Sequence, residues 1–242
     1  MKKIVVLLVV GCCLMACHRP MRVVESKSEI ILIDSTLDTI QDSTYLQQLA
    51  PVKADLEAAL NVPIGYATEV MTVHIPECTM LNWASDALWA MAKQRYPGTV
   101  DMAVVNIGGM RCEWAAGDIT RRHVFELMPF DNELVVLTMR GEEILNLCNA
   151  FVKLGGQGVA GLRMKAKDGQ LISATINGKK VEPTAYYTVA TSDYLSQGND
   201  GMTPLAHHED LWRSEEKIRD LYIEYVQQVK IVQAQVDGRM DI

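Results

Sequence analysis

The stretch DMAVVNIGGMR, Asp101–Arg111, decides how the chain folds. Met102 to Ile107 is a nearly continuous apolar run, which predicts a buried strand rather than one of alternating polarity. The run stops at Gly108-Gly109, and Arg111 follows. Two adjacent glycines let backbone N–H groups approach a ligand that any Cβ would hold off. An arginine just beyond them offers a planar fork for carboxylate or phosphate. The same letters also describe a plain glycine turn with a surface arginine. Asn106, Gly108, Gly109 and Arg111 are thus candidate binding residues at the end of a core strand.

Working outward, Leu81–Tyr96 predicts a helix with Leu81, Ala84, Leu88, Met91 and Ala92 on one face, ended by Pro97-Gly98. Leu46–Leu60 predicts another, with Pro51 suited only to a first turn. A short helix is expected at Thr120–Glu126, and longer helices at Gly141–Lys153 and Ser214–Val229. Strands are expected at Glu29–Asp34, Tyr66–His74, Leu134–Met139, Leu162–Lys165, Leu171–Ile176 and Tyr186–Ser192. Asn177-Gly178 is a two-residue hairpin signal, because both positions tolerate positive φ. Strands and helices mix without strict βαβ alternation, so the class is α/β of the mixed, α+β kind.

The composition, 49% apolar and 22% charged over 242 residues, is that of a globular protein. Met1-Lys2-Lys3 followed by Ile4–Val10 reads as a signal peptide. It closes on Leu14-Met15-Ala16-Cys17, which resembles the bacterial lipobox, with Cys17 as the acylated first residue of the mature chain. Residues 1–16 are then a leader and 17–44 a tether and N-terminal extension, with the folded domain over 45–242. The expected location is the cell envelope, anchored by lipid and facing the periplasm or the cell surface. Without Lys2 and Lys3 the net charge is −9, which argues against a broad nucleic-acid-binding face. Cys78, Cys112 and Cys148 remain, an odd number without metal-ligand spacing, and read as small buried side chains.

Two further loops could carry chemistry. In Leu127-Met128-Pro129-Phe130-Asp131-Asn132, an aromatic followed by an amide can stack on and hydrogen-bond a planar ring, or Phe130 can plug the core beneath a turn. In Thr191–Met202 a buried strand feeds a loop with Tyr194 and Asp200, and a carboxylate is a good acceptor from vicinal sugar hydroxyls. The alternative there is an ordinary Asn-Asp-Gly turn. Gly156–Gly161 matches G-x-G-x-x-G by letter, but it precedes a strand-like segment instead of opening a helix. His207-His208 lacks a third ligand at metal-binding spacing. Asp101, Asp118 and Asp193 show no spacing that pairs two in one site, and His123 reads as a capping or surface residue.

Taken in this order, the segments DMAVVNIGGMR, GDIT…ELMPFDNELVVLTMRGEEI and YTVATSDYLSQGNDGM resemble the C-terminal, substrate-specificity domain of the 5′-nucleotidase family. The resemblance covers about Leu46 to the C-terminus and implies a layered α-β-β-α sandwich. It implies that Phe130 and Tyr194 sandwich a nucleobase, that Asn132 contacts the base, that Arg111 reaches ribose or phosphate, and that Asp200 takes the ribose hydroxyls. A glycine near the base edge would fall around Gly156. The sequence departs from the family in three respects. The metal-binding Asp-x-His and Gly-Asn-His-Asp/Glu signatures of the catalytic half do not occur. His74 stands in the segment that usually carries phosphate-site arginines. Tyr194 and Asn199 replace Phe and Gly.

The resemblance therefore leads to an expected role as the nucleoside- or 5′-nucleotide-recognising half of a split hydrolase. A separate metallophosphoesterase would carry the divalent metals, and this chain would bind no cofactor. The alternatives are a stand-alone nucleoside- or nucleotide-binding lipoprotein and a ligand-free interaction scaffold.

Overall fold

The computed structural model describes residues 22–37 and 42–242; the leader and Cys17 lie outside the described residues. The chain divides into two compact units, one ending at Ala50 and one spanning Pro51–Ile242. In the first, residues 22–34 have no regular secondary structure and Ser35–Leu37 forms a single 3-10 turn. The strand expected at Glu29–Asp34 does not form. Ile30 to Ile33 are exposed, and a strand needs a ladder partner that an apolar run cannot supply alone. Helix α1 (Ser43–Leu60) spans the boundary between the units and holds Pro51 in its interior, further along than a first turn.

The second unit runs β1 (Pro63–Ala67), α2 (Thr79–Arg95), β2 (Met102–Val105), β3 (Gly117–Thr120), α3 (Arg121–Leu127), β4 (Glu133–Arg140) and α4 (Gly141–Leu154). It continues with β5 (Gly158–Ala160), β6 (Leu162–Lys167), β7 (Gln170–Ile176), β8 (Lys179–Lys180), β9 (Tyr186–Ser192) and β10 (Asp210–Lys217). It ends with α5 (Ile218–Val229), β11 (Ile231–Val232) and β12 (Met240–Asp241). The strands form a central five-stranded sheet in the order β10-β4-β9-β2-β5, a three-stranded sheet β11-β1-β3 and a four-stranded sheet β12-β6-β7-β8.

The central sheet is buried on both faces. On β2, Ala103 and Val105 join one apolar core and Met102 and Val104 the other. On β4, Leu134 and Val136 face the first core, while Val135, Leu137 and Met139 face the second. The first core is closed by α2, α5 and the three-stranded sheet, the second by α4 with β6 and β7. This two-sided burial is why the Met102–Val105 run is continuously apolar. The result is the mixed α/β class expected from the sequence pattern, layered as the resemblance implies. α4 turns Ile144, Leu147, Cys148 and Phe151 inward, and Gly155 ends it in the left-handed conformation at φ 79°. Asn177 and Gly178 both have positive φ in the tight turn joining β7 to β8.

Two boundaries differ from expectation. β1 ends at Ala67, and residues 68–74 leave the sheet apart from a single bridge of Met71 to Trp114. Its register against β3, Tyr66 opposite Asp118 and Ala67 opposite Gly117, fixes that end. The charged segment Ser214–Lys217 is not helix but the end of β10, an outer strand paired to β4 across an irregularity at Glu215, whose φ is 61°. Charged side chains suit an outer strand, which has water on one side. The three cysteines among the described residues are free; Cys78 and Cys148 are buried as expected while Cys112 is only half-buried, and burial pushes the Cys148 thiol up to about 12.

Phe151 is fully buried in the second core. Phe151→Ala removes a ring that neighbours cannot replace and is expected to cost about 3–5 kcal/mol of unfolding free energy. Urea unfolding followed by circular dichroism reads this directly.

Candidate functional site

The pairing of the central strands brings the three motifs together. β2 is parallel to β9 and β4 is antiparallel to it, in the spatial order β4-β9-β2. The C-terminal ends of β2 and β9 and the N-terminal end of β4 therefore lie at one end of the sheet, about 5 Å apart from neighbour to neighbour. Residues 106–111 leave β2 there, 193–201 leave β9 there, and 128–132 enter β4 there. Between them lies a cleft of about 380 Å³ lined by Asn106, Gly108, Gly109, Arg111, Met128, Phe130, Asn132, Ser192, Tyr194 and Asp200.

Of the nine sequence-selected positions, eight line this cleft. Gly156 does not. It follows the α4 cap with φ 118°, and a Cβ there would strike the Pro76 backbone at 2.3 Å. His74 also lies outside the lining; it is exposed, with Nδ1 3.4 Å from the Ile75 carbonyl. Met128 and Ser192 line the cleft without having been singled out. Ser192 ends a core strand, and its hydroxyl accepts the Leu195 N–H at 3.1 Å.

Carboxylates hold the loops. Asp193 Oδ1 accepts the Asn132 side-chain amide at 3.1 Å, the Glu133 N–H at 3.1 Å and the Tyr194 N–H at 2.8 Å. A carboxylate cannot donate, so Asn132 must turn its NH₂ to Asp193. Asp200, at φ 54°, accepts the Asn106 amide on Oδ2 at 2.5 Å and the Tyr194 hydroxyl on Oδ1 at 2.8 Å. Bonding to the carboxylate holds the Tyr194 hydroxyl above its ordinary pKa. The amide of Asn199 donates to the Tyr194 carbonyl at 2.8 Å and closes the loop. A Cβ at Gly109 would come within 2.8 Å of Asn106 Oδ1 and would push that amide aside.

The Phe130 segment is braced from α5. Arg219 donates to the Phe130 carbonyl at 3.3 Å and to Asp131 Oδ1 at 2.7 Å, while its guanidinium sits 4.3 Å from the centre of the Phe125 ring. Lys217 donates to Asp131 Oδ2 at 2.9 Å. Lys217 and Arg219 together hold the Asp131 carboxyl below its ordinary value. Arg111 ties two motifs together: its N–H donates to the Leu127 carbonyl at 2.9 Å, and its guanidinium donates to the Gly108 carbonyl at 3.2 Å. Phe130 and Tyr194 are each about 40% exposed, so both rings are open to the cleft instead of plugging the core.

The other candidates are structural. Asp101 Oδ2 accepts the Thr188 N–H at 2.8 Å. His123 Nδ1 accepts the Thr120 N–H at 3.0 Å in the capping box of α3. The glycine-rich Gly156–Gly161 segment contains β5, an outer strand antiparallel to β2, and opens no helix. His207 and His208 bond to Glu143 and to the Leu205 carbonyl respectively.

The family model for the 5′-nucleotidase C-terminal domain matches residues 60–207, which include every cleft-lining residue. Relatives include a 5′-nucleotidase of Vibrio cholerae, 27% identical over 195 residues, covering 76% of this chain and 34% of the relative. Protein UshA of Escherichia coli is 28% identical over 182 residues, covering 73% of this chain and 32% of the relative. The chain thus spans about a third of the length of these curated relatives. The solved 5′-nucleotidase precursor of Thermus thermophilus shares the fold, with a TM-score of 0.71 at 22% identity over 83% of this chain and 43% of that one. On the match over residues 60–207, the chain belongs to the 5′-nucleotidase C-terminal domain family.

Proposed function

We propose that this chain is the nucleotide-recognising half of a split 5′-nucleotidase-type hydrolase. It acts at the cell envelope, held by lipid on Cys17, with a separate metallophosphoesterase as the catalytic half. The observation that carries the reading is the convergence of two open aromatic rings, an oriented amide, a carboxylate and an arginine on one cleft. Phe130 and Tyr194 supply faces for a nucleobase, each contact of this kind contributing about 1–3 kcal/mol. Asn132, its NH₂ committed to Asp193, offers its carbonyl oxygen to the base edge. Asp200 accepts from the sugar hydroxyls, and Arg111 meets the phosphate or the ribose.

Among the described residues no three His, Cys, Asp or Glu side chains form a group able to hold a metal ion. No hydrolytic step is assigned to this chain's side chains; on the split-enzyme reading the partner supplies the divalent metals. No described helix is long and apolar enough to cross a membrane. A second reading has one observation in its favour. Arg111 is the single cationic side chain among the cleft-lining residues, which suits a nucleoside better than a nucleotide. On that reading the chain is a nucleoside-binding lipoprotein that acts alone.

Calorimetric titration of the leaderless protein with adenosine, AMP and inorganic phosphate separates these readings. Adenosine binding is expected in the wild type and is expected to vanish in the Phe130→Ala/Tyr194→Ala double variant. Phosphate release from AMP is expected only when a metallophosphoesterase is added, and full activity of this chain alone with added metal would sink the split-enzyme reading. Arg219→Ala, which unties Phe130 and Asp131 without touching the cleft, is expected to weaken adenosine binding roughly two- to tenfold through lost preorganisation. Faster amide exchange at residues 130–132 should accompany that loss.

A further inference from the structure

The carboxylate of Asp200 is already bonded on both oxygens before any ligand arrives: Oδ1 by the Tyr194 hydroxyl and Oδ2 by the Asn106 amide. A carboxylate has about four lone-pair sites. Two remain, one on each oxygen, and a vicinal diol has two hydroxyls to fill them. The tyrosine contributes more than a ring face, because its hydroxyl is one of the two protein donors on the group that meets the sugar.

We infer that the Tyr194 hydroxyl sets how strictly the cleft discriminates ribose from 2′-deoxyribose, by supplying a standing donor to Asp200 Oδ1. The inference rests on the reading of the cleft as a nucleoside site. When a sugar lacks one hydroxyl, one carboxylate oxygen loses a ligand donor inside a site now covered by the base and sugar. A charged acceptor left bare in such a place is costly, and this is how hydrogen-bonding sites reject analogues lacking a hydroxyl. With Tyr194 in place, Oδ1 keeps a donor whichever sugar is bound, and the penalty is softened. The ring stacks on the same base in both nucleosides, so only the hydroxyl bears on the ratio between them. Phenylalanine keeps the ring and removes that donor, leaving Oδ1 dependent on the ligand.

The test is the ratio of dissociation constants for 2′-deoxyadenosine and adenosine, measured by calorimetry on the leaderless wild type, Tyr194→Phe and Asp200→Asn. Tyr194 is about 40% exposed, so its replacement by phenylalanine leaves the core untouched. The wild type is expected to bind both nucleosides with a modest ratio. Tyr194→Phe is expected to raise that ratio about three- to tenfold, chiefly by weakening the deoxy ligand. Asp200→Asn is expected to collapse it toward one. Adenosine binding with the same ratio in the wild type and Tyr194→Phe would overturn the inference and leave the nucleoside reading standing. Failure of the wild type to bind either nucleoside would overturn both.

Discussion

A sheet buried on both faces has only its strand ends free for polar chemistry. In this protein that constraint organises everything else. Met102–Val105 and Leu134–Leu137 alternate between two separate apolar cores, so no side chain on them is available to a ligand. The parallel pairing of β2 with β9, and the antiparallel pairing of both with their other neighbours, brings two strand ends and one strand beginning to the same rim. Three loops far apart in sequence become neighbours there. The cleft follows from strand order and direction, before any loop conformation is considered.

What gives the loops their shape is a small set of acceptors. Asp193 gathers one side-chain and two backbone donors, Asp200 bridges the first and third loops, and Asp131 joins the second to α5. Each bond is near solvent, where a single ion pair or hydrogen bond contributes little. Several acting on one short segment restrict it far more than any one could. The half-buried Arg219 on Phe125 adds a restraint of a different kind, a flat cation laid on a ring face.

The parts legible in the sequence are those set by burial and by local backbone chemistry. The continuous run at Met102–Val105, the one-sided periodicity of α2, the Asn177-Gly178 turn and His123 as a capping residue all depend on nearby residues. The failures depend on partners elsewhere in the chain. Ile30–Ile33 has strand composition but no ladder to join. Ser214–Lys217 looks helical until β4 is placed beside it. Arg219 and Asp131 carry no site signal of their own, and Asp193 reads in the sequence only as an unpaired carboxylate, because the work of all three is done through Phe130, Asn132 and Tyr194. Gly156 was placed by resemblance alone, and the Pro76 backbone occupies the space beside it.

The separation of scaffold from rim bears on how such a domain can change over time. The side chains that touch the cleft carry little of the packing, and those that pack rarely touch the cleft. A single codon change at the rim, Phe to Tyr at 194 for example, can shift what is recognised while the folded state hardly registers it. Selection can therefore explore new ligands on this domain one loop at a time, with the double core serving as an unchanging chassis.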